Sequence, residues 1–176
     1  AMFMQQRATK KQRQLDTARL KREFAEDVRA MVDRLSDLRV EQQRALRERF
    51  PSSDVLLKRA LERDLRLWER RPSDEDFLHV RLGLGDMPPS YTLELQPVEN
   101  ARQEDRIFAN AQATPFAVVP DSPLTLDLVA THSVGIAGPR ALRSALARTL
   151  IANVATHHQP NEVRVFFIRD PRIRDE

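Results

Sequence analysis

The chain has 176 residues, with 29 Lys and Arg against 26 Asp and Glu, a net charge of +3, and no cysteine. That excludes a disulfide scaffold, a thiolate metal site and a cysteine nucleophile, and a composition 41% apolar and 31% charged supports only a modest core. No stretch approaches the ~20 apolar residues of a membrane span, and there is no signal-peptide pattern. The length fits one domain, or a small domain with an appendage.

The first Pro is Pro51 and the first Gly is Gly83. The residues before Pro51 are mostly good helix formers, so one long helix is predicted over about residues 5–50. Residues 1–50 hold 13 basic and 8 acidic residues, a net of +5, and residues 51–176 hold 16 and 18, a net of −2. The excess is concentrated in Arg7, Lys10, Lys11, Arg13, Arg19, Lys21 and Arg22, which face only Asp16. Further along, Leu20, Phe24, Val28, Met31, Leu35 and Leu38 recur at near-heptad spacing and form one narrow apolar stripe. A straight helix of this length spans roughly 70 Å at ~1.5 Å per residue. Part of the stripe is therefore expected to meet another copy or another subunit. Pro51 stops the helix, and Ser52 or Ser53 can cap a second one over about 53–69. Its apolar face of Val55, Leu56, Leu57, Leu61, Leu65 and Trp68 is expected to pack back on the first helix or on the domain. Residues 1–71 are thus read as a helical stalk.

Residues 72–176 are read as a mixed α/β or α+β domain. Pro72-Ser73-Asp74 opens it with a turn. Leu78, Val80, Leu82 and Leu84 alternate with other residues as in a half-buried strand, and Tyr91, Leu93 and Leu95 alternate again. A proline-rich connection follows, with one helical turn near 104–109. Leu124, Leu126 and Leu128 alternate, and residues 133–137 are a short apolar run. Gly138-Pro139 starts a crossover helix with Pro as its first residue, buried along Leu142, Leu146, Leu150 and Val154. Residues 162–168 carry the strongest strand pattern, Val163, Val165 and Phe166-Phe167-Ile168. The expectation is a mixed sheet of about five strands, Rossmann-like in outline. A helix between strands implies a right-handed crossover, yet few residues follow Ile168, so the domain is expected to be incomplete at its C-terminus. Ala1 reads as a cloning remnant.

Candidate chemistry is sparse. Gly135-Ile136-Ala137-Gly138-Pro139-Arg140 stands between a strand and a helix, where a phosphate loop would stand. Two residues rather than four separate the glycines, no Lys-Ser/Thr follows, and Pro139 removes an N–H. Gly135, Gly138 and Arg140 are a weak nucleotide candidate beside the plain reading of a tight turn. His157 and His158 are adjacent, so their rings leave the helix on different sides, and exposed helix-end histidines are expected. His79 and His132 complete no metal set with them. No Gly-x-Ser-x-Gly elbow supports Ser133 as a nucleophile. The basic helix end admits three readings: nucleic-acid phosphates, an anionic lipid surface, or a solvated helix face.

One segment is distinctive: Leu67-Trp68-Glu69-Arg70-Arg71-Pro72-Ser73-Asp74-Glu75-Asp76-Phe77-Leu78-His79-Val80-Arg81-Leu82-Gly83-Leu84-Gly85. It resembles the corresponding signature of the EccC/EssC family, the membrane-anchored FtsK/SpoIIIE-type ATPases of type VII secretion. Pro120-Asp121-Ser122-Pro123-Leu124, the Gly135–Pro139 turn, His158-Gln159-Pro160-Asn161-Glu162-Val163-Arg164-Val165 and Asp170-Pro171 follow in similar order. The resemblance covers about residues 10–172. It implies a cytosolic stalk and most of an ATPase-like domain, preceded in the family by membrane helices and followed by ATPase modules. On that reading this segment is not an enzyme and holds no cofactor or metal, ATP and Mg being expected only in downstream modules. Its basic residues would lie under the inner leaflet, on the cytoplasmic side of a bacterial plasma membrane. Its stripe would meet other secretion subunits or a second copy. Trp68, Arg70, Arg71, Pro72, Asp74 and Phe77 would form a structural joint, with Trp68 and Phe77 as anchors onto the first strand and the arginines paired with Asp74 or Asp76. The expected function is non-catalytic coupling and assembly, linking the anchor to the motor. The alternative is a DNA-translocase-related module that binds nucleic acid through the basic end.

Overall fold

The computed structural model describes residues 2–93 and 102–168, with side chains from residue 10 onward. The element order is α1 (Met2–Arg49), α2 (Ser53–Glu62), β1 (His79–Met87), α3 (Gln103–Ala113), a 3-10 turn (Thr114–Ala117), β2 (Val119–Asp127), α4 (Leu128–Thr131) and α5 (Arg140–His157). Contacts divide the chain into two compact units, Ala1–Gln43 with Met87–Val119, and Arg44–Asp86 with Pro120–Glu176.

In the first unit α1 is uninterrupted, as its composition dictates. Val28 and Leu35 of the apolar stripe are buried, Phe24 and Met31 are half-buried, and Leu20 is 65% exposed. The Arg39 guanidinium stacks 4.1 Å over Phe116 and donates to the Pro115 carbonyl. Gln42 donates to the Pro88 carbonyl and accepts from the Ser90 amide. The Tyr91 hydroxyl donates to the Phe116 carbonyl. Residues 88–91 and 115–116 are thus held on α1 by polar and cation–π contacts. α3 runs for 11 residues, well beyond the single turn expected there.

In the second unit β1 and β2 form a two-stranded antiparallel sheet. Val80 is fully buried. Gly85 leaves room for Leu124, whose side chain would meet an added Cβ at 2.7 Å. α2 packs along α5, with Leu56 and Arg59 turned inward.

Several expectations are corrected. Among the described residues the sheet has two strands, not about five, and no Rossmann-like sheet is formed. Residues 91–93, 133–137 and 163–168 carry a strand-like pattern without forming strands. Alternation makes a strand only where a neighbour completes the ladder, and Phe166, Phe167 and Ile168 are 76–98% exposed. Leu95, Asp170 and Pro171 lie outside the described residues. α2 ends at Glu62, not near 69, because Arg63 turns left-handed (φ 53) as its C-cap. That leaves Leu57, Leu61 and Leu65 exposed rather than packed. Pro139 is the N-cap of α5, not its first residue, and Leu142 is 67% exposed.

Truncating the buried Leu56 to Ala should cost about 2–5 kcal/mol, whereas Leu61→Ala, one turn on but solvent-facing, should stay within about 0.5 kcal/mol. Urea unfolding of the two variants, followed by circular dichroism, checks the contrast.

Candidate functional site

The second unit is organised around two helix C-termini. A helix end leaves its last carbonyls without intrahelical donors, and cations are favoured there. At the end of α1 the donors are two arginines from the distinctive segment. Arg70 Nη2 donates to the Arg49 carbonyl at 2.6 Å, and Arg81 Nη1 donates to the Phe50 carbonyl at 2.9 Å. At the end of α5 the donors come from residues 68–70. The Trp68 indole N–H donates to the Ala155 carbonyl at 3.1 Å. The Trp68 and Arg70 amides donate to the Thr156 and His157 carbonyls at 2.9 and 3.0 Å. Arg70 and His158 form an isolated parallel bridge there.

Arg70 links the two ends. Its side chain is 3% exposed. Besides the Arg49 carbonyl it reaches the His79 carbonyl at 2.7 Å and the Asp76 carboxylate at 3.2 Å, and it lies 5.0 Å over the Phe50 ring. Burial pushes its pKa down, against the pull of Asp76. Burial pushes the Asp76 pKa up, but the hydrogen bond from Arg49 and the charge of Arg70 outweigh it and leave the carboxyl below its ordinary value. The Arg49–Asp76 contact is 2.9 Å.

The other expected joint residues fall differently. Arg71 pairs with Glu162 at 3.4 Å with its side chain 44% exposed, and only its amide reaches the Asp74 carboxylate. Trp68 and Phe77 dock on the end of α5 rather than on the first strand, Phe77 meeting the His158 ring edge-on at 5.0 Å. Pro72 is exposed in the turn that follows. A cleft of about 460 Å³ lies beside the joint, lined in part by Glu48, Arg66 and Glu69. Arg66 is paired with both carboxylates there.

His157 and His158 correct the expectation of exposed histidines: they are 0% and 2% exposed. Each Nδ1 lies within hydrogen-bond distance of the carbonyl one turn back, Asn153 and Val154. Donation there leaves Nε2 of His158 to accept from the Leu78 amide at 3.0 Å. The His157 Nε2 is buried with no hydrogen-bond partner among the described residues. Burial, then the charge of Arg70, push the His157 pKa from 6.5 to about 3, and burial also lowers that of His158. Asn153, likewise unsuspected, accepts from the Arg81 amide. The Pro160 stop signalled the helix end, but nothing in the local pattern signalled that the joint would cover it.

The glycine turn is open and solvent-facing. No atom lies within 4 Å of an added Cβ at Gly135 or Gly138, Gly138 is left-handed at φ 131, and Arg140 is exposed. Among the described residues no group of three or more His, Asp or Glu can hold a metal ion, and no helix is long and apolar enough to cross a membrane.

On α1, Lys10, Lys11, Arg13, Arg19, Lys21 and Arg22 are exposed, and Arg7 has its side chain outside the described residues. Lys10, Arg13, Thr17 and Lys21 share a face with Phe24, Val28 and Leu35, following the spacing of three and four that keeps residues on one side of a helix. Arg19 lies on the other side, paired with Glu23 at 2.7 Å, and Gln12 bonds Asp16 there. The stripe is therefore basic at one end and apolar at the other.

Comparison with known proteins identifies relatives. The chain is 28% identical over 167 residues to the ESX secretion system protein EccC of Geobacillus thermodenitrificans, covering 93% of this chain and 11% of that protein. It is 35% identical to the EccC of Thermomonospora curvata, over 57% of this chain and 8% of the relative. It is 26% identical to the ESX secretion system protein YukB of Bacillus subtilis, over 76% and 9%. The chain thus spans about a tenth of the length of the curated relatives it matches. No family model matches it.

Two predictions follow from this geometry. Arg70→Ala should cost about 3–5 kcal/mol, as for a broken buried pair, against about 1 kcal/mol or less for the exposed pair lost in Arg71→Ala; denaturant midpoints compare them. As pH falls below 6.5, the unfolded chain takes up a proton that folded His157 refuses until about pH 3. Stability should therefore drop across that window, with a slope approaching one proton per molecule. His158 adds to the loss in the same direction, and His157→Gln should flatten the profile.

Proposed function

We propose, from its similarity to the EccC proteins of ESX secretion systems, that the chain is a member of the EccC/EssC family and a non-catalytic coupling and assembly segment of a type VII secretion motor. It connects a membrane anchor to ATPase modules elsewhere in the protein, on the cytoplasmic side of a bacterial membrane. Hydrolysis, with its ATP and Mg, belongs to those modules. The observation that carries this reading is the joint, in which the residues most like the family's own are occupied in tying helix ends together. Arg70, Arg49, Asp76, Arg66 and Glu69 are all engaged with one another or with backbone carbonyls. Residues 1–71 act as the stalk and residues 72–176 as the domain it carries. The exposed part of the α1 stripe meets neighbouring subunits of the secretion complex or a second copy.

The basic end of α1 lies against anionic lipid. Three of its cations, Lys10, Arg13 and Lys21, share one face, away from Asp16 and Glu23, which suits a flat negative surface. Nucleic acid is the competing partner, through the same charges.

In a full-length relative, Arg70→Ala at the matching position should abolish secretion while ATP hydrolysis by the catalytic modules persists. Saturable micromolar ATP binding by this chain, lost on changing Gly138 or Arg140, would overturn the non-catalytic reading. Replacing Lys10, Arg13 and Lys21 with Gln should weaken binding to phosphatidylglycerol vesicles by about 100-fold, at ~1 kcal/mol per cation. Arg19→Gln should change it little. Tighter binding to duplex DNA than to vesicles, steeply salt-dependent, would give the basic face to nucleic acid instead.

A further inference from the structure

We propose that residues 68–79 form a latch that couples the C-terminal ends of α1 and α5, so that neither end opens without loosening the other. This deepens the coupling reading by naming its path through the second unit, and it rests on that reading only for its use in the cell. The path consists of hydrogen bonds that converge on one short segment. Its first residues hold the last carbonyls of α5, through the Trp68 indole and the Trp68 and Arg70 amides. The side chain of Arg70 then holds the last carbonyl of α1 and the first of β1. The segment returns to α5 where the Leu78 amide donates to His158.

The backbone of the segment depends on these contacts. Trp68 and Leu78 are both left-handed, each at φ 57. A bulky side chain is strained in that region and stays there only when its surroundings hold it. Both residues direct their own amides into the end of α5, to the Thr156 carbonyl and to His158 Nε2. If α5 frays, the restraint on Trp68 and Leu78 is released together, and Arg70 is carried on the backbone that relaxes. If the end of α1 lifts, Arg70 loses the Arg49 carbonyl and the Phe50 ring at once. A buried guanidinium with partners missing is costly to keep in place, so its backbone withdraws from the His157 carbonyl. Such coupling is reciprocal by thermodynamic necessity, which makes it separable from two independent caps.

Hydrogen exchange of the whole 176-residue chain, read by mass spectrometry at neutral pH, tests the latch by perturbing one end and reading the other. Trp68→Phe keeps an aromatic ring but removes the indole donor at α5, and Phe50→Leu keeps an apolar side chain but removes the ring beneath Arg70 and Arg49 at α1. The latch predicts about tenfold faster exchange of amides 44–50 in the first variant and of amides 153–158 in the second, within the usual range of coupling between sites. Lys58→Gln, which removes an exposed pair with Glu62, should move neither. If Phe50→Leu does not fold, Arg70→Lys replaces it, since Lys keeps the charge but cannot hold two carbonyls and a carboxylate together. Faster exchange confined to the perturbed end overturns the latch, and so does a uniform rise across all amides, α3 included. Because this readout involves no secretion, the latch and the cellular coupling role can fail separately.

Discussion

One buried cation orders the second unit. Arg70 is charged, almost wholly enclosed, and stable there because each of its three guanidinium nitrogens has an acceptor. Two carbonyls, one carboxylate and an aromatic face receive it. Lysine could not substitute, because a single ammonium cannot span partners on α1, β1 and the loop between them. The geometry thus requires an arginine, and it requires that Arg49, Phe50, Asp76 and His79 be brought to one place. Asp76 is shared with Arg49, so two cations meet one carboxylate, and the carbonyls at the end of α1 supply the rest of the negative potential.

The two helix ends joined here are finished by different chemistry. The end of α1 is met by side chains from a distance in sequence, two guanidiniums that answer both the carbonyls and the helix dipole. The end of α5 is met mainly by backbone amides. That choice explains the two neutral histidines. Next to Arg70 and out of water, a charged imidazole at 157 or 158 would face a like charge without solvent to screen it, so both stay deprotonated. The same neutrality frees His158 Nε2 to accept from Leu78, which a protonated ring could not do.

Much of this was legible in the sequence, and the failures have physical causes. The long helix was legible because nothing before Pro51 opposes it. The start of β1 was legible from its alternation. The resemblance singles out Trp68, Arg70 and Phe77 together, but it does not distinguish Arg70 from Arg71. Adjacent in sequence, they differ because one side chain turns into the unit while the other points to water, and a turn of known composition does not fix that direction. The extra strands were read from apolar alternation at 133–137 and 163–168, which states a preference for extended backbone but names no partner. The end of α2 was placed too late because Leu65 and Trp68 continue the helical spacing. The left-handed turn at Arg63, an unfavourable conformation for that residue, closes α2 by sending the Arg63 and Asp64 amides back to the Arg59 carbonyl, and neither Gly nor Asn marks that cap in the sequence.

The stripe on α1 shows how one helical face can carry two kinds of contact. From Phe24 to Leu35 it is apolar and partly buried; from Lys10 to Lys21 it is basic and exposed. Since the spacing is continuous, both parts face one side, and the acidic residues Asp16 and Glu23 lie on the other. A helix of 48 residues with so little buried surface draws its stability from intrinsic propensity and local pairs more than from packing. Its exposed half is therefore free to be specified by charge rather than by shape. Whatever meets that half comes to the same side of the helix on which Val28 and Leu35 are covered, and meets it through cations whose counter-charges are turned away.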